Sequence, residues 1–479
     1  MLLVDFPRNP KEGSILSAKS NDFTDFDTVS ETFEQVLAAS TADETELVWF
    51  ERRYGVASYP QGADDFLEPP RLSVLVRVVE GRRQGWYRTE TPDPHLLESG
   101  VRQAMALAKV QPPVKRRPVL PKPQDLHFQR QIVDRKIADL DLEGGHALVA
   151  SWCEDADAPE GLDIHGRLHW SVVRVAVFNS HGLRRRGAAT EMTLEVVAGR
   201  NLDTHGTGAG HAAASSRLQQ FFAPQKVVQR AIDRHVDAAT APPPEGSVKV
   251  LLAPEATIAL LNLLNTYAFS GRAYLDGTSF LTKHRNIQVF DRQFNLHDDG
   301  TRVPGMPFPF DLEGTPKRPL DLITQGQPST PALNRYQGAE AGLEPTAQAV
   351  GGADSMFGNL FLGTGEASHE ELLAAADGGL YIGWLEPPEC FDPGYLHFRT
   401  IARSVRRIEN GRLGAPLDDL VWEESLLKAF ARIAAIGNES VVHTTRTTLL
   451  GAICAPALVL IDVEGFRTAN VPKPETPND

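Results

Sequence analysis

Cysteine is scarce in this chain of 479 residues: Cys153, Cys390 and Cys454 stand far apart and form no Cys-x-x-Cys pair. That spacing argues against a disulfide framework and fits a reducing cytoplasm. Positive charge is in deficit as well, with 48 Lys and Arg against 62 Asp and Glu and a formal net charge of −14. A general nucleic-acid binder takes its affinity from cationic contacts to phosphate, so this balance speaks against one. The short basic runs Lys115–Arg117 and Arg184–Arg186 read as solvated faces or linkers. No apolar run approaches the roughly 18 residues of a membrane span. The first residues lack the charged-then-apolar layout of a signal peptide. A cytoplasmic protein that binds neither membrane nor nucleic acid is expected.

What the chain does hold is ordinary globular composition, 42% hydrophobic and 23% charged. Its length calls for two or three domains. Two proline-rich stretches punctuate it, Gln111–Pro123 and Thr240–Ser247. Each proline fixes φ and removes a donor, so neither stretch sustains a helix or a central strand. The expected units are an N-terminal tail over 1–22, an α+β unit over 23–111, a central unit over 122–240, a β-rich unit over 247–467 and a flexible tail over 468–479.

Local patterns fill these units. Val29, Phe33, Val36 and Leu37 recur at helical spacing. Leu72–Val79 reads as a strand that continues past Gly81 toward Trp86 and Tyr87. Asp93-Pro94 looks like an N-cap with proline at the first helical position, ahead of the stripe Leu97, Val101, Ala104 and Ala108. Leu168–Phe178 alternates, and the turn residues Asn179–Gly182 lead to a second strand over Thr190–Ala198, which implies an antiparallel pair. Val228, Ile232 and Val236 mark a helix, Val248–Leu252 a strand and Ala256–Phe269 a buried helix. Ser368 and Glu371 form a capping box. Leu427, Phe430, Ile433 and Ala434 read as a last helix ended by Gly437. The expected class is α+β: an N-terminal mixed region with an antiparallel sheet, then an antiparallel, barrel-like domain with flanking helices.

A colinear set of short elements over roughly 60–467 resembles the TldD/PmbA family. The set comprises Arg77–Trp86, Phe178–Leu183, Asp298–Thr301, Asp311–Pro316, Asn359-Leu360, Glu371-Leu372, Gly379–Ile382, Asn410-Gly411 and Ile436-Gly437. The helix and turn over Leu260–Leu281 resemble the segment where that family carries His-Glu-x-x-x-His. Counting back from Gly277-Thr278-Ser279 sets the first His position at Asn262, the Glu at Leu263 and the second His at Tyr267. The family's further Cys ligand would fall near Val442-His443. A catalytic zinc needs three protein ligands, an open position for water and a carboxylate to take the water's proton. Leu263 cannot act as that base, and Asn262 and Tyr267 are poor substitutes for imidazole. Cys454 sits too near Pro456 to match, and reads as a packed thiol.

The resemblance implies a TldE/PmbA-type subunit without a metal of its own. Its partner would be a zinc-bearing TldD-like chain, and the heterodimer would trim unfolded or precursor peptides. The segment Asp392–Arg399 resembles the family strand that approaches the cleft. Alternation would put Tyr395, His397 and Arg399 on one face, ready to bind a peptide by strand addition. Two other functions stay open: a stand-alone homodimeric peptide binder, and an enzyme with a different metal site at His165/His169 or His205/His211. The carboxylates Asp298-Asp299 and Asp311/Glu313 lie in turns that explain them without chemistry.

Overall fold

A computed structural model of the chain describes residues 23–126, 132–200, 202, 208–352, 354–445 and 450–469. The structure is α+β with two large, mainly antiparallel sheets. The tails 1–22 and 470–479 lie outside the described residues, as does His205.

The N-terminal sheet runs β3–β2–β1–β4–β5–β6. Its strands are β1 (Glu44–Tyr59), β2 (Arg71–Glu80), β3 (Arg83–Thr89), β4 (Asp163–Asn179), β5 (Arg184–Gly199) and β6 (Gly210–Ser216). The proline-rich stretch at 111–123 does not mark a boundary between sheets. β1 and β4 pair antiparallel from Glu46–Asn179 to Tyr59–Gly166, so the first two sequence units share one sheet. One face is covered by helices. Phe26–Ala39 and Pro94–Val110 bring Val29, Phe33, Val36, Leu97, Val101 and Ala104 onto Leu47, Trp49, Val74, Val76 and Val78. Asp93 caps the second of these helices, its Oδ1 accepting from the Leu96 N–H at 2.9 Å. Leu142–Glu154 and Pro224–Arg234 cover the rest of that face around Trp170 and Leu168.

The other face of the N-terminal sheet meets the C-terminal domain. Val48, Val173, Val175 and Val177 pack there against Phe308, Phe310 and Leu312. Beside this apolar patch, Arg77 on β2 stands between Glu46 on β1 and Glu313 of the C-terminal domain. All three are buried, Arg77 at 1% and Glu46 at 0% exposure. One cation serves two carboxylates here. Desolvation dominates at Glu46 and pushes its carboxyl up to about 7.

The C-terminal domain is built on a 13-stranded sheet. Its main strands are β7 (Val248–Leu252), β8 (Leu296–Asp298), β9 (Leu320–Thr324), β10 (Asn359–Leu362), β11 (Leu380–Leu385), β12 (Glu389–Asp392), β13 (His397–Glu409), β14 (Leu420–Ser425), β15 (Ile433–His443) and β16 (Ala452–Val463). They run β9–β8–β10–β16–β7–β11–β13–β14, with β15 also on β16 and β12 also on β13. β7 is parallel to β11, and β10 to β16. Among the described residues no pairing joins the two ends of this path, so barrel closure is not seen. Helices layer the sheet instead: Pro254–Leu263 lies in the main core with Val250, Leu252 and Ile382, while Leu372 and Leu373 of His369–Ala375 pack on Leu251, Tyr381 and Val459.

Two sequence expectations change. The last helix is only Leu426–Phe430, and Ile433 opens strand β15, which runs through Gly437 against β16. The spacing of Leu427, Phe430 and Ile433 mimics a helical stripe because a short helix feeds straight into a buried strand. The expected helix over 256–269 is α-helical only to Leu263, and Leu264–Ala268 forms a π turn.

Candidate functional site

The π turn decides how the family's metal positions are disposed. Hydrogen bonds in such a turn run from i to i+5, here from the Phe269 N–H to the Leu264 carbonyl at 3.3 Å. Residues five apart come round toward the same side, which an α-helix would not allow. Asn262 and Tyr267 are five apart and both half-buried. The π turn thus brings together the two positions that the resemblance assigns to histidines, here Asn262 and Tyr267.

Those residues do not fit zinc. Asn262 accepts a hydrogen bond at Oδ1 from the Thr445 hydroxyl at 2.7 Å. Leu263 is 2% exposed, in the main apolar core. Tyr267 packs on that core too, near Cys390 and Glu389, and burial raises its phenol pKa. Next along, Asn265 is fully buried and donates to the Phe357 carbonyl at 2.9 Å, which ties the turn to the domain. Among the described residues, no three His, Cys, Asp or Glu side chains converge as a metal site.

From Asn262 the contacts lead across to the N-terminal sheet. Thr444, beside Thr445, donates its N–H to Ser215 Oγ on β6 at 2.9 Å, and its hydroxyl lies 3.0 Å from that of Thr193 on β5. His443 Nδ1 is 3.4 Å from Ser215 Oγ, and its ring is tilted against Trp384 with centroids 6.1 Å apart. Burial lowers the His443 pKa, so the ring is neutral near pH 7. His211 stacks on the same Trp384, and its Nδ1 meets Ser404 Oγ at 2.6 Å. Burial and the Arg403 cation hold this imidazole down at about 4. Asn262, His443, Trp384 and His211 therefore surround one junction between the two domains.

The alternative metal pairs fare differently. His165 and His169 both lie on strand β4, where four residues span about 13 Å. That is too far to share one ion. His169 Nδ1 instead meets the Tyr54 hydroxyl at 2.5 Å. Cys454 lies opposite Val442 in the β15–β16 pair, while His443 lies opposite Ile453. The pleat therefore turns Cys454 away from the face that holds His443. Its burial raises the thiol pKa.

Tyr395, His397 and Arg399 do not share one strand. Tyr395 is 54% exposed in the turn between β12 and β13, whereas His397 and Arg399 lie on β13. The three remain neighbours: the Tyr395 and His397 rings are 6.3 Å apart, and Arg399 pairs with Glu423 at 3.0 Å. Strand addition at this point of β13 is blocked, because His397–Arg399 is bonded to β12 on one edge and β14 on the other. The carboxylate turns are structural knots. Asp298 accepts from the Gly358 and Asn359 N–H groups at 3.0 and 2.8 Å and from Gln348 at 2.7 Å. Asp311 accepts from the Glu313, Thr315 and Ala349 N–H groups at 2.9 to 3.0 Å.

A polar stripe that no sequence motif marks faces the same junction. Arg52, Tyr54, His169, Ser171, Glu191, Thr193 and Glu195 alternate onto one face of β1, β4 and β5. Its signal was legible as the period-two run His165, Arg167, His169, Ser171 within strand β4.

Residues 245–465 match the PmbA/TldA metallopeptidase C-terminal domain. No curated protein matches the sequence. Three solved structures share the fold over nearly the whole chain. A candidate modulator of a DNA gyrase from Thermotoga maritima is 20% identical with a TM-score of 0.76, covering 91% of this chain and 100% of its own. TldE from Thermococcus kodakarensis is 19% identical with a TM-score of 0.75, covering 91% and 98%. A candidate modulator of DNA gyrase from Bacteroides thetaiotaomicron is 16% identical with a TM-score of 0.72, covering 92% and 98%. Residues 245–465 are thus a C-terminal domain of the PmbA/TldA metallopeptidase type, in a chain whose overall fold is shared with TldE.

Proposed function

We propose that this chain is a non-catalytic, TldE/PmbA-type subunit of a cytoplasmic zinc metallopeptidase. It completes the peptide cleft of a TldD-like partner that carries the metal, and the pair trims unfolded or precursor peptides. One observation supports this most: the helix has a π turn where Asn262, Leu263 and Tyr267 occupy the positions that the resemblance assigns to ligands and base. A chain that had merely lost function would have no reason to keep the register of a metal helix. Asn262 is instead tied to Thr445, and through its neighbour to the N-terminal sheet. A net charge of −14 gives no support to a direct DNA role.

The test is co-expression with a TldD-like chain bearing His-Glu-x-x-x-His, followed by size exclusion. Co-elution at the mass of a heterodimer is expected. Two separate homodimeric peaks would favour the stand-alone peptide binder. Stoichiometric metal in the isolated chain would favour an enzyme of its own.

A further inference from the structure

We propose that the polar stripe on the N-terminal sheet binds the terminal carboxylate of a peptide between Arg52, Ser171 and Arg217. The register sets the row. Tyr54 lies opposite Ser171, and Ser171 opposite Glu191. Met192 lies opposite Ser216, which brings Arg217 beside Glu191. Arg52 lies one row away, on the same face as Tyr54.

Ser171 is 1% exposed, yet its hydroxyl has no hydrogen-bond partner. A buried hydroxyl left so forfeits a bond it would make in water, which points to a missing partner. Two guanidinium groups on the same face, Arg52 one row away and Arg217 beyond Glu191, are also incompletely used. Arg217 is 3% exposed, and it donates to the Thr190 and Met306 carbonyls at 3.2 and 3.3 Å. Its Nε has no acceptor, and the Glu191 carboxylate stands off at 3.8 Å. Arg52 lies over the Tyr54 ring, 4.8 Å from its centroid, and its Nε is likewise without an acceptor. Among the described residues Arg52 enters no ion pair. His169 fixes the Tyr54 hydroxyl from the far side.

Two arginines whose Nε–H groups lack an acceptor and an unpartnered hydroxyl, all on one sheet face, suit a planar anion that accepts in parallel. Glu191 and Glu195 on the same face disfavour a dianion, so a carboxylate fits better than phosphate. That the carboxylate belongs to a peptide rests on the function proposed above. The site itself needs no partner subunit.

Calorimetric titration of the isolated full chain tests it, with the tripeptide Ala-Ala-Phe, its C-terminal amide and inorganic phosphate as probes. The free acid should bind at least tenfold more tightly than the amide and than phosphate. Arg52→Gln should abolish that preference, and Ser171→Ala should weaken acid binding several-fold without altering the fold by circular dichroism. Arg102→Gln, exposed on the helix that covers the opposite face of the sheet, should bind as the parent does. Equal or undetectable binding of acid and amide, unchanged binding by Arg52→Gln, or phosphate binding as well as the acid would each overturn the proposal. None of these outcomes bears on co-elution with a TldD-like chain, so the two readings fail separately.

Discussion

Replacing Glu46 by Gln should stabilise the protein above neutral pH, against the usual expectation for breaking a buried ion pair. Removing one partner of an isolated buried pair leaves an uncompensated charge and costs several kcal/mol. Here Arg77 keeps Glu313, so the substitution leaves one cation facing one carboxylate. The Glu46 carboxyl moves from its ordinary 4.5 up to about 7 on folding. A carboxyl raised on folding contributes its full stability below the unfolded value and loses it as pH rises through the folded value. About 2.5 units at 1.36 kcal/mol each gives a loss on the order of 3 kcal/mol between pH 4.5 and 8. With an unfolding entropy of about 2.1 cal/mol/K per residue, that is roughly 3 °C in Tm. The assay is urea unfolding followed by tryptophan fluorescence at pH 5.5, 6.5, 7.5 and 8.5. The parent should lose stability from pH 6 to 8, and Glu46→Gln should not. Asp311, pushed up to about 6 by burial and Glu313, would leave both proteins a shared slope below pH 6.5. A parent flat from pH 6 to 8, or a Glu46→Gln protein less stable than the parent at pH 8.5, would refute the reasoning.

Leu263→Glu, which puts a carboxylate where the resemblance would place the base, should destabilise the chain by more than about 3 kcal/mol, because it drives that carboxylate into the main core. Asn262→Ala should cost only about 1 kcal/mol, the worth of its hydrogen bond with Thr445. The same unfolding assay checks both, and a soluble Leu263→Glu protein of parental stability would show that the side chain does not face the core. Phe308→Ala should cost about 3–5 kcal/mol and loosen the seam with Val173, Val175 and Val177. Limited proteolysis should then release an N-terminal fragment faster than from the parent; an unchanged pattern would contradict the packing.

Local chemistry made much of this fold legible. The Asp93-Pro94 start and the Ser368–Glu371 capping box each depend on a few adjacent residues, and each stands where the sequence placed it. The strand read as continuing past Gly81 instead turns back there, with Gly81 at φ 56°. Long-range pairing was not legible. Nothing local to Gln111–Pro123 reveals that β1 and β4, over 100 residues apart, lie side by side. The start of strand β15 was read as helix because Ile433 follows Leu427 and Phe430 of the short helix at helical spacing. The π turn was invisible because it differs from an α-helix by one residue per turn, with no compositional mark. Of the polar stripe only His169 and Ser171 were legible, as alternation within β4. Its meeting with Arg52 and Arg217 required the register of three other strands.

The central claim is that this chain supplies structure to a partner's zinc site, and reconstitution tests it most directly. A TldD-like chain, zinc and an unfolded peptide would be incubated with and without this protein, and cleavage followed by mass spectrometry. Cleavage that rises with this chain to a one-to-one ratio, while the chain alone cuts nothing, is the predicted result. Cleavage by the partner that is the same with and without it would contradict the account.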